Sequence, residues 1–251
     1  MQITLPEINE YKTMNGVISL EDLERLNQEF EARTPQQVLE WAYETFHPSL
    51  KLACSFGGAT GMVLLDMAHK IEPDLKVFYI DTDFLFPETY ALKDEVERRY
   101  GIKTEGIKSR WSPEAQGKEF GERLWEKDPD LCCQLRKVEP NHRVLENTLA
   151  WISGLRRDQS GTRKQTPIVR WDQTFGLVKV NPLALWTEEQ VWGYVEENDI
   201  PFNPLLKEGY PSLGCTFCTR QVKAGEDPRA GRWSGFGKTE CGLHVIPPKN
   251  S

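Results

Sequence analysis

Strand patterns that alternate with helix patterns constrain the fold of this chain more than any other feature. Short apolar runs rich in β-branched and aromatic residues predict strands, and longer segments with apolar residues three and four apart predict helices. The predicted strands are residues 50–54, 76–80, 102–107, 149–153, 168–171 and 177–180, with helices at 62–71, 87–100 and 187–198. Strand-helix-strand repetition favours an α/β fold with a doubly wound, mainly parallel sheet.

The turns after three of these strands are candidate ligand sites, because ligands of such sheets bind beyond the carboxyl ends of the strands. Glycines before a helix can present backbone N–H groups to a phosphate, although they can equally serve only to turn the chain. Arginines after a strand are candidate phosphate ligands or part of a solvated turn. A carboxylate there can contact a ribose or cap a helix. The candidate substrate contacts are Ser55, Phe56, Gly57, Gly58, Asp81, Thr82, Arg156 and Arg157.

Residues 1–48 are expected to form an N-terminal region that packs on this sheet. The first 18 residues show no periodicity and predict an irregular arm. Ser19 can cap a helix that ends near Phe30, and Thr34 followed by Pro35 begins a second helix. Residues 49–224 form the predicted α/β domain, and residues 225–251 a mobile tail.

Four of the six cysteines suggest a metal centre. Cys132 and Cys133 are adjacent, and Cys215 and Cys218 form a C-x-x-C. Four converging thiolates repel one another and require a cation, unless they form disulfides. Adjacent cysteines chelate a single zinc ion poorly but can bind different irons of a 4Fe-4S cluster. The spacing favours the cluster over zinc, a disulfide or inert thiols. Cys54, within a strand, is interpreted as a core residue.

The segment after the C-x-x-C is rich in glycine and in positive charge. Arg229 and Arg232 are candidates to hold an anion. Cys241 lies three residues before His244 and near these cations, surroundings that favour a thiolate nucleophile, although a single Cys-His pair is often incidental. Lys137 follows Cys132 by five residues and could lie on a similar helical face, near the thiolates, or simply on the surface.

Several longer motifs carry a family resemblance. The chain resembles the assimilatory adenylyl-sulfate reductases of the phosphoadenylyl-sulfate reductase family over roughly Ser55 to His244. The matching motifs are TDFLFPETY at 82–90, CC at 132–133, RKVEP at 136–140, SGLRRDQS at 153–160, YPSLGCTFCTR at 210–220, GEDPRAGRW at 225–233 and ECGLH at 240–244. SFGGATG at 55–61 resembles a modified pyrophosphate loop of adenine-nucleotide alpha-hydrolase-like folds, but lacks the Asp-Ser that accompanies ATP cleavage.

The resemblance implies a chemistry for these residues. Cys241 would attack the sulfur of adenosine 5'-phosphosulfate (APS), release AMP and carry the sulfonate. Thioredoxin or a glutaredoxin-like dithiol would then release sulfite, as in sulfate assimilation for cysteine biosynthesis. Lys137, Arg229, Arg232 and His244 would surround the sulfate, and one 4Fe-4S cluster per chain would have an electrostatic role. The alternatives are a reductase for the 3'-phosphorylated nucleotide (PAPS), whose family members generally lack the four cysteines, and a zinc-stabilised binding module.

Composition narrows the partners and the compartment. The 251 residues are enough for one large domain, and a net charge of −7 argues against nucleic acid as the main partner. No apolar run approaches the roughly 20 residues that span a bilayer. The first residues lack the pattern of a secretory signal, so a cytoplasmic location with reduced thiols is expected. The sequence leaves open whether the chain forms homo-oligomers.

Overall fold

The N-terminal region contains a β-hairpin followed by two helices. The computed structural model describes residues 10–13 and 16–244. Strands β1 (Glu10–Thr13) and β2 (Gly16–Ser19) pair antiparallel with each other in a two-stranded sheet. The prediction of an irregular arm is therefore wrong for these residues, because strands of four residues are too short to show a clear alternation. The part of the predicted arm before residue 10 lies outside the described residues.

The two predicted N-terminal helices are confirmed. Helix α1 spans Leu20–Phe30 and helix α2 spans Pro35–Phe46. Ser19 and Thr34 each accept a hydrogen bond from the backbone N–H three residues later, and the side chain of that later residue bonds back. Both starts are thus capping boxes, which satisfy N–H groups that have no partner within the helix.

A six-stranded sheet forms the centre of the molecule, in the order β5-β4-β3-β6-β8-β7. All neighbouring strands pair parallel except β7, which is antiparallel to β8. The predicted doubly wound, mainly parallel sheet is therefore confirmed. The strands are β3 (Leu50–Ala53), β4 (Lys76–Asp81), β5 (Thr104–Lys108), β6 (Ala150–Ile152), β7 (Val169–Asp172) and β8 (Leu177–Val180).

The helices between these strands pack on the sheet or extend from its carboxyl edge. Helix α4 ends at Tyr100, and Gly101 follows with φ +66°, a left-handed conformation that glycine adopts readily. The helices that follow α2 are α3 (Ala59–Ile71), α4 (Pro87–Tyr100), α5 (Pro113–Phe120), α6 (Leu124–Lys127), α7 (Pro129–Cys133), α8 (Glu139–Leu145) and α9 (Glu188–Glu197). No helix among the described residues has the length and apolar character needed to cross a bilayer.

The two faces of the sheet are covered differently. Leu50 and Leu52 of β3 belong to the large apolar core that includes α2, α3 and α9. A smaller apolar cluster contains Phe78 and Trp151, and Leu243 from the end of the tail packs against it. The tail therefore covers part of one sheet face.

Candidate active site

The structure brings the four predicted ligand cysteines together. Cys132 and Cys133 end helix α7, and Cys215 and Cys218 flank a 3-10 turn at residues 216–218. The C-x-x-C segment is attached to the loop after β4, where Leu85 and Cys215 form an antiparallel bridge. The hydroxyl of Thr82 lies 3.3 Å from the Cys215 sulfur. A predicted substrate contact therefore lies beside a predicted metal ligand.

Burial and mutual repulsion act on these thiols in the protein alone. Burial, followed by the neighbouring sulfurs of Cys133, Cys215 and Cys218, raises the pKa of Cys132 to about 12. The same two causes raise the pKa of Cys218 to about 11. All six cysteines are free thiols. Four thiolates can coexist here only with a compensating positive centre, which is the chemistry of a metal or cluster site.

The arrangement of the four thiols bears on which kind of metal centre they could hold. No three His, Cys, Asp or Glu side chains within the described ranges lie where one metal ion could bind them together. A cubane spreads its four irons over several ångströms, so its cysteines need not share one centre. Several buried N–H and O–H groups of residues that are adjacent in sequence to these thiols or interact with them have no protein hydrogen-bond partner, and could donate to inorganic sulfide. They are Nε and Nη2 of Arg136, Nε of Arg232, Nε1 of Trp233 and Oγ1 of Thr219.

Lys137 lies near both the predicted ligand cysteines and Cys241. It belongs to a π-helical turn, Gln134–Val138, that connects α7 to α8. Its side chain is buried, and its charge interacts with Cys215 and Cys241 as well as with Cys133. Burial disfavours the ammonium, but these sulfurs outweigh burial and raise the pKa of Lys137. The lysine is therefore a fixed positive charge that both sets of sulfurs share.

The first part of the predicted tail is bound to the C-x-x-C segment. Thr219 and Arg232 form an antiparallel bridge, and the N–H of Trp233 donates to the Cys218 carbonyl at 3.1 Å. Gly231 approaches so closely that an added Cβ would lie 2.3 Å from the Arg220 carbonyl oxygen. This position accepts only glycine without movement of the backbone.

Arg229 and Arg232, the predicted sulfate ligands, lie side by side. Both donate to the Ser212 hydroxyl at 3.3 Å. Arg229 also donates to the Thr239 carbonyl at 2.8 Å and to Glu240 at 3.3 Å. Burial and the nearby Arg163 lower the pKa of Arg229 to about 10, so it stays charged at neutral pH. The two arginines thus place positive charge next to the segment that holds Cys241.

Two residues that the sequence analysis did not identify bind the end of the tail. Arg163 donates to both carboxylate oxygens of Glu240, at 2.8 and 2.7 Å. Nζ of Lys179, on β8, lies 3.0 Å from Nδ1 of His244. Burial and neighbouring cations, with Lys179 first among them, lower the pKa of His244 well below its usual value. The imidazole is therefore neutral.

The predicted nucleotide contacts follow the strands as expected, with varied surroundings. Ser55 is exposed, whereas Phe56 is buried and has φ +52°. Gly57 packs so closely that an added Cβ would lie 3.2 Å from the Leu213 Cβ, and Gly58 is the N-cap of α3. Asp81 accepts a hydrogen bond from the Tyr90 hydroxyl at 2.6 Å.

The two predicted phosphate-binding arginines are held by protein partners. Arg156 is buried, donates to Thr60 and forms an ion pair with Glu188. Arg157 forms an ion pair with Glu31, just beyond α1, at 2.6 Å. A substrate role for either arginine stays a prediction and requires that a phosphate displace or share these partners.

A cavity of about 750 Å³ lies between the start of α7 and the tail. Residues 127–130 form one wall, and residues 236–240 form the other. Thr162 and His244 complete the lining. The tail is thus bordered by open space beside the start of α7.

Comparison with known proteins gives one consistent family. Residues 49–221 match the model of the phosphoadenosine phosphosulfate reductase domain. An adenosine 5'-phosphosulfate reductase from Halalkalibacterium halodurans is 49% identical over 89% of this chain and 96% of its own length. A phosphoadenosine 5'-phosphosulfate reductase from Gloeobacter violaceus is 48% identical over 89% of this chain and 93% of its own.

A solved structure supports the same relationship. A phosphoadenylyl-sulfate reductase from Candida auris, in complex with phosphate, superposes with a TM-score of 0.72 at 36% identity. The match covers 82% of this chain and 98% of the other.

Proposed function

The chain belongs to the phosphoadenosine phosphosulfate reductase family, whose members are oxidoreductases, and on that basis we propose that it reduces APS to sulfite and AMP. The observation that carries this proposal is the position of Lys137, a buried lysine whose charge interacts with Cys241 as well as with Cys133 and Cys215. A single cation thereby connects a candidate nucleophile to a candidate cluster.

The first step is attack by the Cys241 thiolate on the sulfur of APS. A bond forms between Sγ and the sulfonate sulfur, the bond from that sulfur to the bridging oxygen breaks, and AMP leaves with the electron pair. Attack by an anion on an anionic sulfate is opposed by charge. Lys137, Arg229 and Arg232 supply fixed positive charge close to Cys241, which favours the transition state.

The second step needs a dithiol from outside the chain. A thiolate of thioredoxin or of a glutaredoxin-like protein attacks Sγ of Cys241, and sulfite leaves with the electrons of the sulfur–sulfur bond. The second thiol of the partner resolves the mixed disulfide and restores Cys241. Both electrons come from the dithiol, which becomes a disulfide. Such a partner and six cysteines without a disulfide suit a reducing compartment, so we place the enzyme in the cytoplasm.

Cys132, Cys133, Cys215 and Cys218 would hold one 4Fe-4S cluster. When bound, it supplies four thiolate-ligated irons whose charge orients Lys137. The presence of the four cysteines also favours APS over PAPS as the substrate, because family members that use PAPS generally lack these cysteines. The Gloeobacter relative is named for PAPS, so competition between APS and PAPS for one protein sample tests this preference directly.

The decisive experiment measures a covalent adduct. The anaerobically purified protein is incubated with APS without any dithiol, and the masses of its peptides are measured by mass spectrometry. One sulfonate on the Cys241 peptide is the expected result. Cys54→Ser, which alters a buried core thiol, should still form the adduct, whereas Cys241→Ser should not. Absence of any adduct from protein that binds APS would reject the covalent mechanism.

A further inference from the structure

Lys179 is a fully buried lysine on the sheet face that the tail covers. Burial lowers its pKa to about 7, so the ammonium form predominates only below neutral pH. Lys179 has 0% exposure and stands in register between Trp151 of β6 and Arg170 of β7. Its Nζ lies 4.2 Å from the centre of the Trp151 ring. Burial of an ammonium costs free energy unless hydrogen-bond acceptors surround it. The segments that supply those acceptors therefore stabilise the buried lysine.

The tail supplies two of the three acceptors around this ammonium. Nζ lies 3.0 Å from Nδ1 of His244 and 3.3 Å from the carbonyl oxygen of Leu243. The third group, Oδ2 of Asp172, is 3.5 Å away and makes no hydrogen bond that meets normal geometry. A lysine ammonium has three donors. Lys179 therefore satisfies its donors only while the tail is in place.

A second attachment lies at the other end of the same segment. Arg163 binds both oxygens of Glu240, and its Nη1 also donates to Gln159 at 2.6 Å. The Glu240 and Arg163 side chains are both largely buried. Burial opposes ionisation of Glu240, but its hydrogen bonds and ion pair with Arg163 dominate and lower its pKa. Arg163 thus holds a charged carboxylate directly before Cys241.

Cys241 lies between these two attachments. Gly242 follows with φ +87°, and a Cβ there would be 3.0 Å from the Val138 methyl group in the π-helical turn. The segment 240–244 is therefore fixed at both ends and packed against the turn that carries Lys137. Five residues leave little freedom to a thiol when both ends are anchored.

We propose that Arg163 and Lys179 are positioning residues which hold the closed tail through Glu240 and His244, a pair of contacts that we call the tail clasp. The clasp keeps Cys241 beside Lys137. When Lys179 is protonated it donates to Nδ1 of His244, and this contact places the ring proton on Nε2. The catalytic meaning of the clasp rests on the proposed function, whereas its geometry does not.

The first test is the rate at which N-ethylmaleimide alkylates Cys241 in the anaerobically purified holoprotein. Loss of hydrogen bonds to a charged group should open the tail, so we expect Lys179→Met to be alkylated about tenfold faster. Removal of a cation alone would disfavour the thiolate and slow the reaction, so an increase reports opening. Lys51→Met is the matched control. Lys51 of β3 is in register with Trp151 on the opposite side of β6 from Lys179, and it donates to the Val144 carbonyl instead of the tail.

The second test reads the histidine ring directly. Nitrogen-15 NMR of the four histidines at pH 6, where the Lys179 ammonium predominates, should show the Nε2–H form of His244 in the wild type, with His244→Gln to assign the signal. Lys179→Met should give a mixture of both tautomers, and Lys51→Met should not change the signal. Glu240→Gln should also speed alkylation of Cys241. Because Glu240 lies outside the sheet, this variant still tests the clasp if Lys179→Met folds poorly.

The outcomes separate the clasp from the proposed function. If Lys179→Met and Glu240→Gln are alkylated no faster than Lys51→Met, the clasp is wrong, whatever APS does. If the variants open the tail but no protein form gains a sulfonate from APS, the clasp stands and the reductase mechanism fails.

Discussion

Glu240 accepts hydrogen bonds from Arg163 at 2.8 and 2.7 Å, across 77 residues of sequence. The carboxylate that precedes Cys241 is therefore bound to the 3-10 turn Gly161–Arg163, which follows strand β6. This ion pair sets the position of the tail relative to the sheet and gives the closed tail a dependence on pH.

Acid should release the tail. The pKa of Glu240 is lowered in the folded protein, so its ion pair stabilises the closed tail above the ordinary value of 4.5 and is lost as pH falls below it. Amide hydrogen exchange of residues 236–244, corrected for intrinsic rates, should accelerate between pH 5 and pH 3 relative to strand β3. Glu240→Gln should already exchange fast at pH 6 and show little further change. Equal pH dependence in both proteins would contradict this role.

Lys137→Met should slow adduct formation by about 10²–10³-fold, the effect typical of losing one preorganised charge at a reacting anion. Rapid-quench mass spectrometry of the Cys241 peptide at saturating APS measures this step alone. Lys93→Met, which removes a lysine paired with Asp94 and Glu97 on α4, should react like the wild type. An unchanged rate for Lys137→Met would show that the ammonium acts only in binding or folding.

The four clustered cysteines should account for bound iron. Protein purified without oxygen should contain about four irons and four sulfides per chain, the content of one cubane. Cys132→Ser should lose most of this iron, and Cys54→Ser should retain it. Bound zinc without sulfide, retained in Cys54→Ser, would instead support the zinc-stabilised alternative.

Cys54 should make stability sensitive to alkali. Burial raises its pKa from 9.0 to about 12, so the thiol stabilises the fold fully below pH 9 and loses that contribution as pH rises towards 12. At pH 10 the loss is about 1 kcal/mol relative to Cys54→Ala, because the unfolded thiol ionises first. Urea unfolding of both proteins at pH 8 and pH 10 measures it. The contributions of the other buried thiols are the same in both proteins and cancel in this comparison. If both proteins lose equal stability between pH 8 and pH 10, the loss does not come from Cys54.

Local patterns predicted most of the fold. The capping boxes that begin at Ser19 and Thr34 each span only four residues of sequence, so the starts of α1 and α2 could be predicted accurately. Helix α3 begins at Ala59, earlier than the predicted Met62, because small residues in its first turn carry no apolar periodicity. The hairpin of β1 and β2 was missed because its short strands pair only with each other.

The site was predictable where motifs are contiguous and unpredictable where partners are distant. The cysteine pairs and the Cys-Gly-Leu-His segment are visible in sequence. Arg163 and Lys179 are not, because their partners lie 77 and 65 residues away and are joined only by the tertiary fold. In the sequence, Lys179 is an ordinary polar residue of a strand. Only the fold shows that it is buried under the tail and contacts it.

The π-helical turn Gln134–Val138 has one further consequence. A wider turn accommodates one residue more than an α-helix would, and each residue of an α-helix rotates the next by about 100°. Removing one residue between Cys133 and Lys137 should restore regular winding and direct the Lys137 ammonium away from the sulfurs, although Lys137 and the cysteines are all retained. The alignment of charge with thiols therefore depends on the number of residues after Cys133 as well as on the identity of Lys137.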